Sequence, residues 1–157
     1  MENVNRILTH PKYKSLLKEL NELERHREFC NHTLEHFLDV ARIAYITVLE
    51  EGLNYSKEVV YSIALLHDIG RVLEYNYGVD HHEGSAIIAE ELLEETSFSK
   101  EEKALIIKAI KEHRREAEDE LSKIIYKSDK LSRNCFNCKA YNKCYWKEDK
   151  KNNHIKI

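Results

Sequence analysis

Glycine and proline are scarce in this chain, four and one among 157 residues. A fold of many tight β-turns needs both residue types, so an all-β architecture is excluded, as is a Pro/Gly-rich disordered chain. Methionine and tryptophan occur once each. No apolar run reaches transmembrane length, and no cationic start leads into a short apolar core, so a cytoplasmic protein without a membrane anchor is expected. An excess of positive charge is missing too. The formal net charge is −3, which gives no general nucleic-acid signal, because phosphate backbones call for a basic surface. What is present is a 42% hydrophobic fraction, enough for one domain with its own core. Four cysteines in such a chain point to metal or free thiols rather than disulfides.

Apolar spacing is helical throughout and no segment alternates as a half-buried strand would, so the chain reads as all-α with about six to seven helices. Pro11 suits the first turn of a helix running towards Arg25, with Leu16, Leu17, Leu20 and Leu23 inside. Asn31 is a candidate N-cap for a helix from His32 to Glu51, closed by Gly52. Ser56 caps the central helix, YSIALLHDIG in its second half, and Gly70 is expected in the left-handed conformation that ends it. Arg71 to Tyr77 is a short helix or turn, and GVDHHEG a loop before a helix starting at Ser85-Ala86. Ser99 and Glu102 have capping-box spacing for a helix ending near His113. The last long helix covers about Glu116 to Leu131. Composition then shifts: residues 1–133 form the main domain, and 134–157 a basic, Cys-containing tail packed on it, with six lysines from Lys139 onwards.

Four of these helices place a His or Asp on an otherwise buried stripe. His36 shares a stripe with Val40, Ile43 and Thr47; His67 follows Val60, Ile63 and Ala64. His113 lies on the stripe of Ile106, Ala109 and Ile110, and Asp129 on that of Leu121 and Ile125. A single buried His is commonly a hydrogen-bonded core group. A buried carboxylate without a partner is costly, so Asp68 and Asp129 need a cation or a donor. Imidazoles and carboxylates without thiolate suit Mn, Fe, Co, Ni or Zn.

These residues carry a resemblance. His36 with Val40-Ala41, His67-Asp68 within HDIGR, and Asp129 within KSDKLSR resemble the HD-domain metal-dependent phosphohydrolase superfamily from about residue 30 to 133. The resemblance implies a compact HD-type helical bundle and a metal held by His36, His67, Asp68 and Asp129. In subfamilies with a second metal two more His contribute, matched here by His81 and His113; His82 is the neighbour that could replace His81. Ser85 stands where the family usually has glycine. Asp68 would bridge two metals, and coordination lowers the pKa of bound water to give a nucleophile for attack on phosphorus. Asp68, Arg71 and Lys130 are the catalytic candidates. Arg71, Lys130 and Arg133 would contact phosphate, a task that suits arginine's planar fork. His32, one turn before His36, reads as a surface or capping residue, with a place beside the metal ligands or facing substrate as the alternative.

The implied function is hydrolysis of a small phosphorylated substrate: a nucleotide, a cyclic nucleotide, or a dinucleoside polyphosphate as in HD-type diadenosine tetraphosphate hydrolases. Alternatives are a mononuclear 5′-nucleotidase and a non-catalytic nucleotide-binding module. Cys30, Cys135, Cys138 and Cys144 stand outside this resemblance. The last three form C-x2-C-x5-C, and Cys30, or His26 or His32, could supply a fourth ligand for a structural zinc or an iron–sulfur cluster.

Overall fold

Polar side chains at helix starts show why the elements begin where they do. The computed structural model describes residues 1–113 and 119–157. Among these residues there are eight α-helices and no strand: α1 (Glu2–Thr9), α2 (Pro11–Leu23), α3 (Leu34–Glu50), α4 (Lys57–Leu66), α5 (Arg71–Tyr77), α6 (His81–Glu94), α7 (Lys100–Glu112) and α8 (Glu120–Leu131). Two 3₁₀ turns follow, Cys135–Asn137 and Tyr141–Lys143. The residues ahead of Pro11 form α1, whose Val4 and Ile7 are buried. The predicted first residues of the last helix, from Glu116, lie outside the described residues. Ser99 and Glu102 form the full reciprocal capping box on α7. Gly52 has the positive φ of 66° that closes α3, with the Leu53 N–H donating to the Val48 carbonyl at 2.9 Å.

Four local expectations are corrected. The cap of α3 is Thr33, whose hydroxyl accepts from the His36 N–H. Asn31 instead donates its side-chain amide to the Glu24 carbonyl at 3.1 Å. Leu23 is 41% exposed rather than inside, and Tyr13 takes the buried role on α2, its hydroxyl donating to the Leu65 carbonyl at 3.0 Å. The DHHEG stretch is helix, not loop: Asp80 caps α6 by accepting from the His82 N–H. Gly70 is right-handed, with φ −68°. Its missing side chain serves a close crossing, since a Cβ there would lie 2.0 Å from the Ser85 nitrogen and 2.5 Å from the His81 carbonyl oxygen.

The helix α4 is central, with Val59, Val60, Ser62, Ile63, Ala64, Leu65 and Leu66 all buried. It packs against α1, α3, α6, α7 and α8, while α5 packs on α6 and α2 on α5. Each fully buried Leu or Ile contributes about 1.5–3 kcal/mol. This arrangement drives the C-terminal end of α4, carrying His67 and Asp68, into the middle of the molecule. No helix of the described residues is long and apolar enough to cross a membrane.

Candidate metal centre and its cavity

Five helices deliver the buried polar groups to one place. His36 comes from the first turn of α3, His67 and Asp68 from the end of α4, His81 and His82 from the first turn of α6. His113 caps the end of α7, and Asp129 lies on α8. All seven are buried. Among the described residues, His36, His67, Asp68 and Asp129 bring their donor atoms within 4.8 Å of one another, and His81, His82 and His113 form a second such group. Both members of the His81/His82 pair therefore reach the site. The His82 Nδ1 lies 3.4 Å from the His113 Nδ1.

What the imidazoles do with their two nitrogens is more telling than proximity. The His67 Nδ1 lies 2.7 Å from the Ala64 carbonyl and the His113 Nδ1 lies 2.6 Å from the Ile110 carbonyl. A carbonyl cannot donate, so each Nδ1 carries the proton. Carboxylates fix two more rings in the same way: the His81 Nδ1 faces Glu74 at 3.1 Å, and the His32 Nδ1 faces Glu24 at 2.7 Å. On His36 the anchor is Ser132. Its hydroxyl donates to the Asp129 carbonyl at 2.7 Å and so accepts from the His36 Nδ1–H at 3.1 Å.

All five rings, when neutral, thus turn an Nε2 lone pair inward, and it meets a carboxylate. Around Asp68 the Nε2 atoms of His67, His32, His81 and His113 stand at 3.3, 3.4, 3.5 and 3.7 Å. The His36 Nε2 is 3.3 Å from an Asp129 oxygen. The His67 Nε2 and the Asp68 Oδ1 are buried without a hydrogen-bond partner. Lone pairs facing a buried anion call for a proton or a cation among them. The Arg133 guanidinium supplies one between the His36 Nε2 and Asp129, 3.2 Å from each, whereas the His67 Nε2 and the Asp68 Oδ1 have no such donor. The donor set fits a divalent metal of borderline hardness, and the anchored Nδ1–H groups are the outer-shell contacts that orient metal-binding imidazoles.

The acid–base shifts follow from the same geometry. Burial alone would raise the Asp68 carboxyl, but the imidazoles of His67 and His113 outweigh it and hold Asp68 well below the ordinary carboxylate range. Asp129 behaves likewise, against His36, Arg133 and Lys130. Burial pushes His36 down to about 4 and His82 down to about 3. Burial also lowers His32 and His81. At His67 burial acts in that direction too, yet the charge of Asp68 prevails and raises it. That position favours positive charge, which a proton or a metal ion would supply.

The centre opens into a cavity of about 910 Å³. Arg71, Lys130 and Arg133, singled out from sequence for phosphate, line it together with Arg27. Arg71 is held by Asp68 at 3.3 Å and Glu74 at 3.0 Å. Arg133 contacts Asp129 at 3.2 Å, and Lys130 contacts the other oxygen of Asp129 at 2.7 Å. Aromatic side chains of Phe29, Tyr75, Tyr141, Tyr145 and Trp146 also line it. Cys30, Cys135, Cys138 and Cys144 line it as well, without three of their sulfurs coming within 4.8 Å of one another.

His32 corrects the sequence reading most sharply, being buried and directed at Asp68 rather than at the surface. Its partner Glu24 was missed altogether. Glu24 is buried, and it also accepts from the His32 N–H at 2.6 Å and the Tyr75 hydroxyl at 2.9 Å. The one sequence signal was His32 standing one turn before His36.

An all-helical fold whose central helix ends in a buried His-Asp pair, met by further His and Asp from surrounding helices, defines the class. The HD domain family model matches residues 33–134, and the chain belongs to that family. It is 41% identical over 152 residues to an uncharacterized protein of Clostridium beijerinckii, with 97% of each chain covered. It is also similar to the crystal structure of a predicted HD superfamily hydrolase from an uncultured Thermotogales bacterium. That match has a TM-score of 0.64 and 26% identity, over 89% of this chain and 81% of the other. Family and neighbour together support a metal-dependent hydrolase, and the buried His and Asp groups are able to hold a divalent metal.

Proposed function

We propose that the chain is a phosphohydrolase acting on a small phosphate ester or anhydride, with a nucleotide or dinucleoside polyphosphate as its preferred class of substrate. In this reading residues 1–133 carry the chemistry and residues 134–157 complete the cavity wall. His36, His67, Asp68 and Asp129 would hold one divalent metal; His81 and His113, with His82 beside them and Asp68 shared, would hold a second. Such metals, drawn from Fe, Mn, Co, Ni and Zn, would polarise a phosphoryl oxygen and lower the pKa of a water.

The remaining work falls to the chain itself. Arg71 and Arg133, fixed by the acidic groups they contact, present planar donor edges to phosphoryl oxygens, and Lys130 adds a point charge. The aromatic rings lining the cavity offer stacking surface for a base. His32 donates its Nδ1 proton to Glu24 and is left to take up or deliver a proton at Nε2, next to Asp68. In hydrolysis one P–O bond forms to water and one breaks, the water gives up a proton and the leaving oxygen takes one. Neutral His32 is placed to accept the first at Nε2 and to pass it to the second.

The observation that carries this reading is the set of five anchored imidazoles turning their lone pairs onto two buried carboxylates, inside a cavity lined with cations. The test is a panel of nucleotides, dinucleoside polyphosphates and simple phosphate esters, assayed with protein prepared without chelator and supplied in turn with each metal. Turnover that depends on metal and is lost in Asp68→Ala is expected. Turnover identical in Asp68→Ala and parent, or absent with every metal, would overturn the proposal. If His81→Ala and His113→Ala both retain full metal content, the centre is mononuclear.

A further inference from the structure

The hydrolytic site leaves the four cysteines unused. Cys135 opens the first 3₁₀ turn and Cys138 closes it, while Cys144 closes the second. Each turn is tight: the Cys138 N–H donates to the Cys135 carbonyl at 3.1 Å and the Cys144 N–H to the Tyr141 carbonyl at 3.3 Å. Cys30 arrives from the stretch ahead of α3. All four are free thiols and all four line one cavity.

The tail around them has little else to fix it. Within residues 134–157 only Cys135, Ala140, Lys151 and Asn152 are buried, while Phe136, Tyr145, Ile155 and Ile157 are exposed. Ordering a residue costs about 1–2 kcal/mol of backbone entropy, and so little apolar burial does not offset that over such a length. Nevertheless the tail folds back on the start of the α3 region. The rings of Phe29 and Tyr145 meet edge-on at 6.3 Å, and the Lys143 ammonium reaches Glu28 at 2.6 Å. The Asn152 amide donates to the carbonyls of Lys130 and Arg133 at 2.7 and 2.9 Å. These contacts place the three tail thiols and Cys30 around the same space.

We propose that Cys30, Cys135, Cys138 and Cys144 bind one zinc ion in a tetrathiolate site at the rim of the cavity, separate from the His/Asp centre and independent of the hydrolytic reading. Four thiolates are a complete tetrahedral shell for zinc, and C-x2-C turns are a common way to present two of them. Soft sulfur donors and harder nitrogen and oxygen donors divide metals between the two sites by chemistry. Zinc with four thiolates carries a net charge of about −2, in a tail that holds six lysines from Lys139 onwards. No three of the sulfurs lie within 4.8 Å of one another, so closing the shell requires the two turns to move towards Cys30, and metal binding becomes part of the folding of the tail.

The test uses the full chain purified in reductant, without oxygen or chelator. Zinc is quantified, cobalt(II) is exchanged for it, and thiols are titrated with Ellman's reagent in both metal-loaded and stripped protein. About one zinc per chain bound by thiolate is expected, with a thiolate-to-cobalt charge-transfer band and four thiols protected only when loaded. Asp68→Ala keeps the band, which separates this site from the hydrolytic one. Cys138→Ser and Cys144→Ser each lose roughly a quarter of the band or more, one ligand in four. Should these variants fold poorly, the parent spectrum and thiol count decide alone. The proposal fails if reduced parent protein shows no thiolate–cobalt band and four unprotected thiols. It fails equally if the anaerobic preparation holds an iron–sulfur chromophore, or if the band disappears in Asp68→Ala.

Discussion

A histidine near a carboxylate is ambiguous until the second nitrogen of the ring is accounted for. In His36 that account runs through Ser132, whose hydroxyl links the ring to the Asp129 carbonyl. Ser132→Ala removes the acceptor of the Nδ1 proton and frees the ring to rotate or change tautomer. Metal affinity should fall about 10–100-fold, as for other lost outer-shell partners, and titration calorimetry with Mn²⁺ checks it; unchanged affinity would refute the orienting role. Glu24 does the same for His32, and it adds a pH signature. Burial works to raise its carboxyl, yet hydrogen bonds and the charge of His32 lower it to about 2 from 4.5. A depressed carboxyl stabilises the fold above its unfolded pKa and loses that contribution as pH falls from 4.5 towards 2. Glu24→Gln should lower stability by about 1–3 kcal/mol at neutral pH and flatten the acid limb of the melting-temperature profile. A parallel profile in the variant would count against Glu24. From the sequence, His36, His67, Asp68, His113 and Asp129 were legible because each lies on or beside an apolar helical stripe; His81, read as part of a loop, came only from the family resemblance. Glu24 and His32 were not, because they sit at and beyond a helix end, where no periodicity marks an inner face.

At the scale of elements, the centre depends on how closely α5 and α6 cross. Gly70 and Gly84 face each other across that crossing: a Cβ on Gly84 would stand 2.9 Å from the Gly70 carbonyl oxygen. Between them the Gly70 N–H donates to the Ser85 hydroxyl at 2.8 Å. The serine found where the family usually has glycine is therefore a bonded partner in the crossing. A left-handed glycine and a close-approach glycine look alike in a sequence, which is why HDIG read as a helix stop, and why DHHEG, rich in polar residues, read as a loop. The capping box at Ser99 was legible because it is wholly local. Gly70→Ala should cost at least about 1–3 kcal/mol, since its methyl meets backbone that cannot move aside. Ser85→Ala, which leaves a buried N–H without an acceptor, should also cost about 1–3 kcal/mol. In a chain of this length each kcal/mol lowers Tm by about 2–4 °C. Thermal melts followed by circular dichroism check both, and a Gly70→Ala protein as stable as its parent would mean that the crossing is looser than described.

Across the whole molecule, the donors for a metal come from α3, the end of α4, α6, the end of α7 and α8, so one bound centre ties together nearly the full span of the fold. Without metal, Asp68 is faced by four imidazoles and Arg71, and Asp129 by His36, Arg133 and Lys130. Protons and side-chain cations thus offset the buried anions where five helices meet. Binding to the folded state alone stabilises it by RT ln(1 + [L]/Kd), about 2.7 kcal/mol at a hundredfold excess over Kd. For this chain length that corresponds to a rise in Tm of roughly 5–10 °C. The rise should appear as metal is titrated into chelator-treated protein and should follow the logarithm of its concentration. Asp68→Ala has a distinct signature. The variant loses the metal-dependent rise, and its metal-free form should also melt below the metal-free parent. A carboxyl held well below its ordinary range by His67 and His113 contributes stability at neutral pH that alanine lacks, and Arg71 loses a partner. Scanning calorimetry of parent and variant, with and without Mn²⁺, measures both quantities in one series. A variant that keeps the metal-dependent rise would remove Asp68 from the centre, and one whose metal-free form melts no lower than the parent would show that the imidazoles and Arg71 do not hold this carboxylate favourably.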